Sequence, residues 1–266
     1  MLSVTDLTAY LFCQRKLYFK KVLGVHEKPK ERTLYGTITH RTIERSGRED
    51  KDILCSFTEN ISIQDLELRY RHIYSTALIQ SIQEEKYTLR TAGLDPMAVY
   101  RELWPSFLKE AQAKSASIFS HAHEKKVFKE MLWESLPKSE PEIKIVSETL
   151  GLVGVIDQLD ENFVPIELKT GKAPRDGVWK EHMVQLGAYM LLLTEHAGKD
   201  VNYGFVEYRT VNERRKVVMN LFLKDEILEL IHRVNSLVQQ SALPEKVKEE
   251  WKCQQCGIKE TCFATK

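Results

Sequence analysis

The sequence has no apolar run approaching the roughly 20 residues of a membrane span, no internal repeat and no low-complexity stretch. It has no excess of charge either. Thirty-nine Lys and Arg against 38 Asp and Glu leave a formal charge of +1, so no global field advertises a polyanionic partner, although a locally basic groove is compatible with that balance. The opening MLSVTDLTAYLFCQRKLYFKK lacks a basic lead and an uninterrupted apolar core, so no secretory signal is expected and the chain reads as cytoplasmic. The motif G-x-x-x-x-G-K-[ST] is absent, so the chain brings no phosphate-binding P-loop of its own. Cysteine is scarce, with five residues, yet three crowd into CQQCGIKETC (253–262). In a cytoplasmic setting an odd count with a tight C-x-x-C points to a metal or cluster rather than a disulfide framework.

What is present suits a soluble globular chain. In 266 residues, 42% are hydrophobic and 29% charged, enough for one large domain or two modest ones. Residues 3–21 read as one helix opened by a capping box, Ser3 with Asp6. TLYGTITHRTIERS (33–46) reads as a second, carrying His40. Residues 47–60 read as a polar connection with one short strand in the run DILCSFT. Residues 61–135 are mostly helical, interrupted at GLDP (93–96) and at Pro105. His121 and His123 face nearly opposite sides of such a helix and make a poor site. After Pro141 the texture alternates in the strand manner through IKIVSETLGLVGVIDQLDENFVPIELKTG, with a turn at 160–162. An amphipathic helix over 178–198, a hairpin around Asn212-Glu213 and a helix over 225–241 follow, then the cysteine tail. This order predicts an α/β fold with a mixed sheet.

Asp157 ends one candidate strand, and Glu167 and Lys169 share a face of the next. Folded back by the turn, two carboxylates and an ammonium would meet at one sheet edge. Asp157 and Glu167 offer hard oxygen ligands to Mg2+ or Mn2+, and Lys169 could stabilise charge on a phosphorane or orient a water. Taken alone, E-x-K is more simply a surface hairpin with an ion pair worth under about 1 kcal/mol. Other elements accompany it in order: Gly36 and His40 upstream, Gly154 and Asp157 as G-x-x-D, and Gln185 and Tyr189 at i and i+4 on the following helix. Lys172, Arg175, Trp179 and Lys180 fit a strand-binding groove, by phosphate pairing and base stacking, or equally a solvated loop with Trp179 in the core. Arg214 and Arg215 read as a charged hairpin tip.

The fourth thiolate is Cys13 or Cys55. Cys55 sits in an apolar run, where cysteine acts as a small buried hydrophobe, whereas Cys13 on the first helix has polar neighbours and is favoured. Four thiolates suit zinc or an iron–sulfur cluster.

The ordered set His40, Asp157, Glu167, Lys169, Gln185 and Tyr189 resembles the RecB-like branch of the PD-(D/E)XK nucleases. With one early cysteine and the terminal C-x2-C-x5-C, it resembles the CRISPR-associated, RecB-like iron–sulfur exonuclease family. The likeness covers residues 1–46 and roughly 143–263. It implies a restriction-endonuclease-like core with a mixed central sheet flanked by helices. Its layout is a single nuclease domain over 1–266, with N-terminal helices to 46, a helical insert at 61–135, a catalytic core at 141–223 and a cluster segment at 224–266. It implies a [4Fe–4S] cluster on Cys13, Cys253, Cys256 and Cys262. It also implies Mg2+ or Mn2+ on His40, Asp157, Glu167 and the Leu168 carbonyl, with Lys169 catalytic and Gln185 and Tyr189 bracing the site and strand. The implied activity is trimming of single-stranded DNA ends, read as 5′→3′ and allowing endonucleolytic cuts, beside the CRISPR integrase. The alternatives are the nuclease subunit of a helicase–nuclease repair complex and a non-catalytic partner that binds DNA ends.

Overall fold

The computed structural model describes residues 1–27 and 30–265. The chain forms two compact units: Met1–Lys28 with Ser139–Lys266, and Pro29–Lys138. Among the described residues no helix is long and apolar enough to cross a membrane.

The first unit is built on a mixed six-stranded sheet. Strand β1 (Leu2–Ser3) leads into helices α1 (Val4–Phe12) and α2 (Gln14–Lys21). The expected capping box forms: Ser3 Oγ accepts the Asp6 N–H at 3.2 Å and Asp6 Oδ2 accepts the Ser3 N–H at 2.8 Å. The single helix expected over 3–21 is broken, however. Cys13 is extended (φ −165°, ψ 112°) and caps α2, its Sγ accepting the Lys16 N–H at 3.4 Å. Cys13 therefore stands at a corner between two helices rather than on a helix face.

The second unit is all helical and includes residues the sequence pattern assigns to the N-terminal helices. It holds α3 (Glu31–Arg48), α4 (Asp50–Cys55), α5 (Ile63–Glu84), α6 (Lys86–Thr91), α7 (Pro96–Lys125) and α8 (Glu130–Ser135). Its core has its own large side chains, among them Leu34, Ile38, Tyr70, Leu78 and Phe107. Two expectations fail here. The run DILCSFT forms no strand: its first residues close α4, with Ile53 and Leu54 buried, a length at which periodicity cannot tell strand from helix. Nor does Pro105 interrupt the chain, since α7 runs through it for 30 residues. A proline there forfeits one backbone bond, and burial of Val99, Phe107 and Ala111 on either side holds the helix together.

Back in the sheet unit come β2 (Ser139–Ser147), β3 (Leu152–Asp160), β4 (Pro165–Lys169), α9 (Lys180–Ala197), β5 (Tyr203–Tyr208), β6 (Glu213–Val218), α10 (Leu221–Gln239), α11 (Glu250–Gln254) and α12 (Lys259–Ala264). Strand β2 runs antiparallel along one edge of β3, from Ser139↔Asp160 to Ser147↔Leu152. The other edge of β3 takes β1, parallel, at Leu152 and Val153, and β4, antiparallel, at Gln158 and Leu159. The crossover through α9 makes β5 parallel to β4, and β6 closes the sheet antiparallel to β5. The first four residues of β4 are all buried, as a central strand covered on both faces should be.

Helix α9 is more deeply enclosed than its amphipathic reading suggests: Val184 to Leu193 are buried without exception. Close approach is bought with glycine. A Cβ on Gly187 would stand 2.5 Å from Ile227 Cδ1 on α10, and one on Gly154 of β3 would stand 2.8 Å from Tyr189 Cε1 and 2.9 Å from Leu192 Cδ1. The glycine of G-x-x-D is thus the seat of the Tyr189 ring. Gly154→Ala is expected to destabilise the fold by about 1–3 kcal/mol, the usual cost of overpacking. Urea denaturation checks this, and an unchanged midpoint would refute the seating.

Candidate active site and cysteine pocket

At Gln158↔Ile166 the β3–β4 backbone ladder gives way to a side chain, as Asp157 Oδ2 accepts the Leu168 N–H at 2.8 Å. Alternation along β4 puts Glu167 and Lys169 on one face. Glu167 is only 3% exposed, which a surface hairpin would not produce. Its Oε1 accepts Lys169 Nζ at 2.8 Å and Gln185 Nε2 at 2.7 Å. Gln185 Oε1 accepts a second Lys169 proton at 2.8 Å, and Gln185 Nε2 also reaches Tyr189 Oη at 3.1 Å. The i, i+4 spacing of Gln185 and Tyr189 thus lays one amide across carboxylate, ammonium and phenol. Burial, reinforced by the Glu167 charge and then by Asp157, pushes the Tyr189 hydroxyl well above its usual range, so it stays protonated.

A second network borders this one. His182, one turn before Gln185, places Nδ1 2.9 Å from Tyr208 Oη, which also accepts the Trp179 N–H at 3.2 Å. The Arg215 guanidinium lies 5.2 Å from the Tyr208 ring centroid and donates to the Pro174 and Gly177 carbonyls at 2.8 and 2.7 Å. Arg215 therefore fastens the loop between β4 and α9 and is more than a solvated tip. Trp179, 46% exposed, is not in the core; its Nε1 donates to the Lys172 carbonyl at 2.9 Å. The sequence reading missed His182 and Tyr208. The i, i+3 spacing of His182 to Gln185 was the available signal, whereas nothing in the hairpin's text marks Tyr208.

Burial, and then the Lys169 charge, hold His182 down at about 4. A histidine depressed in the folded state contributes stability that is complete above its unfolded value, about 6.5, and is lost as pH falls towards the folded one. Acid should therefore weaken this unit between about pH 6.5 and 4, and His182→Asn should flatten that part of the curve. Urea midpoints measured across the range check it, and equal slopes in the two proteins would refute it.

His40 lies half-buried on α3 and belongs to the helical unit, whereas Asp157, Glu167, Lys169, Gln185 and Tyr189 belong to the sheet unit. Among the described residues, no three His, Cys, Asp or Glu side chains converge on a point that would hold one metal ion. The oxygen donors on these neighbouring strands are the Asp157 carboxylate of β3 and, on β4, the Glu167 carboxylate and the Leu168 carbonyl, the Leu168 N–H being held by Asp157. Their chemistry fits a hard divalent ion.

Elsewhere in the sheet unit, Cys13, Cys253, Cys256 and Cys262 line one small pocket, together with Phe12 and Arg15. Burial pushes the Cys13 thiol up, and the nearness of Cys256 and Cys262 adds to this. Cys55 ends α4 in the helical unit. Lys16, Lys246, Lys252 and Lys259 also line the pocket, a cationic rim that fits anionic thiolates or a cluster held by them.

With this geometry in place, comparison with known proteins gives concordant results. A 125-residue stretch is 27% identical to a CRISPR-associated exonuclease Cas4/endonuclease Cas1 fusion of Leptospira interrogans, covering 44% of this chain and 23% of the relative. An uncharacterized protein of Archaeoglobus fulgidus is 32% identical over 126 residues, 46% of this chain and 55% of the relative. The DNA replication ATP-dependent helicase/nuclease DNA2 of Gallus gallus is 24% identical over 297 residues, 99% of this chain and 28% of the relative. The chain thus spans between about a quarter and just over half of the length of these curated relatives. The family model of the PD-(D/E)XK nuclease superfamily matches residues 1–263. A match that runs from the first strand to just past the last cysteine takes in both the Asp157–Glu167 strand pair and the cysteine pocket, and the chain belongs to the PD-(D/E)XK nuclease superfamily.

Proposed function

We propose that the chain is a metal-dependent deoxyribonuclease acting on single-stranded ends, with 5′→3′ polarity, and that it trims spacer precursors beside a CRISPR integrase. The observation that carries the hydrolytic reading is the buried Glu167 of the interior strand β4, held by Lys169 and Gln185 beside the point where Asp157 of β3 bonds β4. A buried ion pair is weak as a stabilising device, whereas converging carboxylates and an ammonium are what phosphodiester hydrolysis requires. A protein that only bound DNA ends would need none of it.

Asp157, Glu167 and the Leu168 carbonyl would hold Mg2+ or Mn2+, and the resemblance alone adds His40 to that set. When bound, the ion supplies Lewis-acid charge at the scissile phosphate and favours deprotonation of a water nucleophile. The chain's own residues do the rest. Lys169 has two of its protons fixed by Glu167 and Gln185, which aims the third at the charge developing on phosphate. Gln185 locks the Glu167 and Lys169 rotamers, and neutral Tyr189 backs the amide. Trp179, exposed beside Lys172, offers a face on which a base can stack for about 1–3 kcal/mol.

The place in CRISPR adaptation is supported by the likeness to a relative described as an exonuclease fused to an endonuclease. The likeness to a helicase/nuclease along nearly the whole chain supports a second reading, a nuclease partner to a separate helicase. A single-stranded oligonucleotide labelled at either end, incubated with Mg2+, Mn2+ or chelator, tests the activity. Metal-dependent shortening from the 5′ end is expected, and cleavage indifferent to chelator would refute the metal site. His40→Ala should weaken the metal response about 10–100-fold, and a wild-type response would remove His40 from the ligand set.

A further inference from the structure

Arg15 of α2 is 6% exposed, and among the described residues its hydrogen-bond partners are in the C-terminal tail. Its Nη1 donates to the Pro244 carbonyl at 2.8 Å, its Nη2 to the Cys262 and Thr265 carbonyls at 3.2 and 2.8 Å, and its Nε to Cys262 Sγ at 3.2 Å. One planar fork thus gathers both ends of residues 244–265 and one of the cysteines. Among the described residues its partners are three carbonyls and a sulfur, with no carboxylate to balance the charge. Lesser ties hold the middle of the tail: Glu27 Oε1 accepts the Gly257 N–H at 2.6 Å, and Lys16 Nζ pairs with Glu27 at 2.5 Å.

We infer that Arg15 is the positioning residue of the cysteine pocket, docking the tail on α2 before any inorganic group is present and orienting Cys262 Sγ as a ligand. The second half rests on the cluster reading proposed above, whereas the first stands without it. The pocket is then loaded as a preorganised site, and the guanidinium N–H to sulfur raises the reduction potential of what is bound.

Two measurements on the full chain test this. Trypsin meets Lys246, Lys248, Lys252 and Lys259 in the tail. The metal-free wild-type protein should resist cutting there, and metal-free Arg15→Met should be cut at least about tenfold faster, the effect of losing even one charge-assisted hydrogen bond. Arg15→Lys, which keeps the charge without the fork, should be cut nearly as fast as Arg15→Met. Should the variants not fold, the wild-type protein still decides the matter: tail cutting as fast as in a free peptide of residues 244–265 overturns the docking. In anaerobically reconstituted protein, Arg15→Met should move the midpoint potential to a more negative value. A merely structural role would leave it unchanged, and an unchanged potential overturns the orientation of Cys262. Iron uptake by the wild-type protein is measured separately and judges the cluster reading, so failure of that reading is distinguishable from failure of the docking.

Discussion

Glu167→Gln should abolish metal-dependent cleavage while leaving the fold in place, and Lys169→Ala should damage both. Losing one of the groups that meets charge in the transition state lowers turnover by at least about 10²–10³-fold, and both variants do so. Their stabilities should part company. The glutamine keeps the shape of Glu167 and removes a buried charge, a change that is close to neutral when partners can still hydrogen-bond. Removing Lys169 instead takes the counter-ion from a carboxylate that is 3% exposed, a loss worth up to about 3–5 kcal/mol. Gln185 Nε2 still donates to that carboxylate and keeps the cost below the top of this range. Single-turnover cleavage beside urea unfolding reads both quantities. Full activity in Glu167→Gln would remove the carboxylate from the chemistry.

The cysteine pocket should behave in the opposite way, costing stability before it costs chemistry. With the cluster held as proposed, Cys253→Ser would remove one ligand of a site joining residue 13 to the tail, which closes a loop of roughly 240 residues. Closure entropy grows slowly with length, so the expected destabilisation is about 2–5 kcal/mol. Cleavage per folded molecule should persist, because none of the bonds among Glu167, Lys169, Gln185 and Tyr189 involves the pocket. Thermal unfolding and a nuclease assay at a temperature where the variant is folded decide it. Lost cleavage at unchanged stability would make the pocket part of the active site. Colourless, iron-free protein carrying one zinc per chain from an anaerobic preparation would refute the cluster.

The sheet unit was largely legible because its constraints are local. Alternation fixes the faces of β4, a turn at 160–162 fixes its neighbour, and an i, i+4 pair fixes which face of α9 looks at Glu167. Cys13 was legible by residue but not by setting. An aromatic and apolar run such as AYLFCQRKLYF carries helical periodicity straight through the corner at which Cys13 becomes a cap. Pro105 misled for a related reason, since a general cost of proline says nothing of the packing on either side that outweighs it. Arg15 was out of reach, because its partners lie about 230 to 250 residues away and a guanidinium beside a cysteine on one line of text looks like ordinary solvated charge. His40 shows the limit from the other side: the ordered motif names the residue, while its fold neighbours belong to a helical unit that starts earlier than composition suggested.

The sheet unit is assembled from both ends of the chain, with the helical unit spelled out between them. On a ribosome the segment 29–138 emerges whole and can condense on contacts of its own, whereas β1, α1 and α2 must wait for β3, α9 and finally the tail that seats on Arg15. Synthesis therefore holds an unpaired strand and apolar helix faces in reserve until the segments that follow residue 138 have been made. The strands and helix that carry Asp157, Glu167, Lys169 and Gln185 are made only after the whole helical unit has emerged.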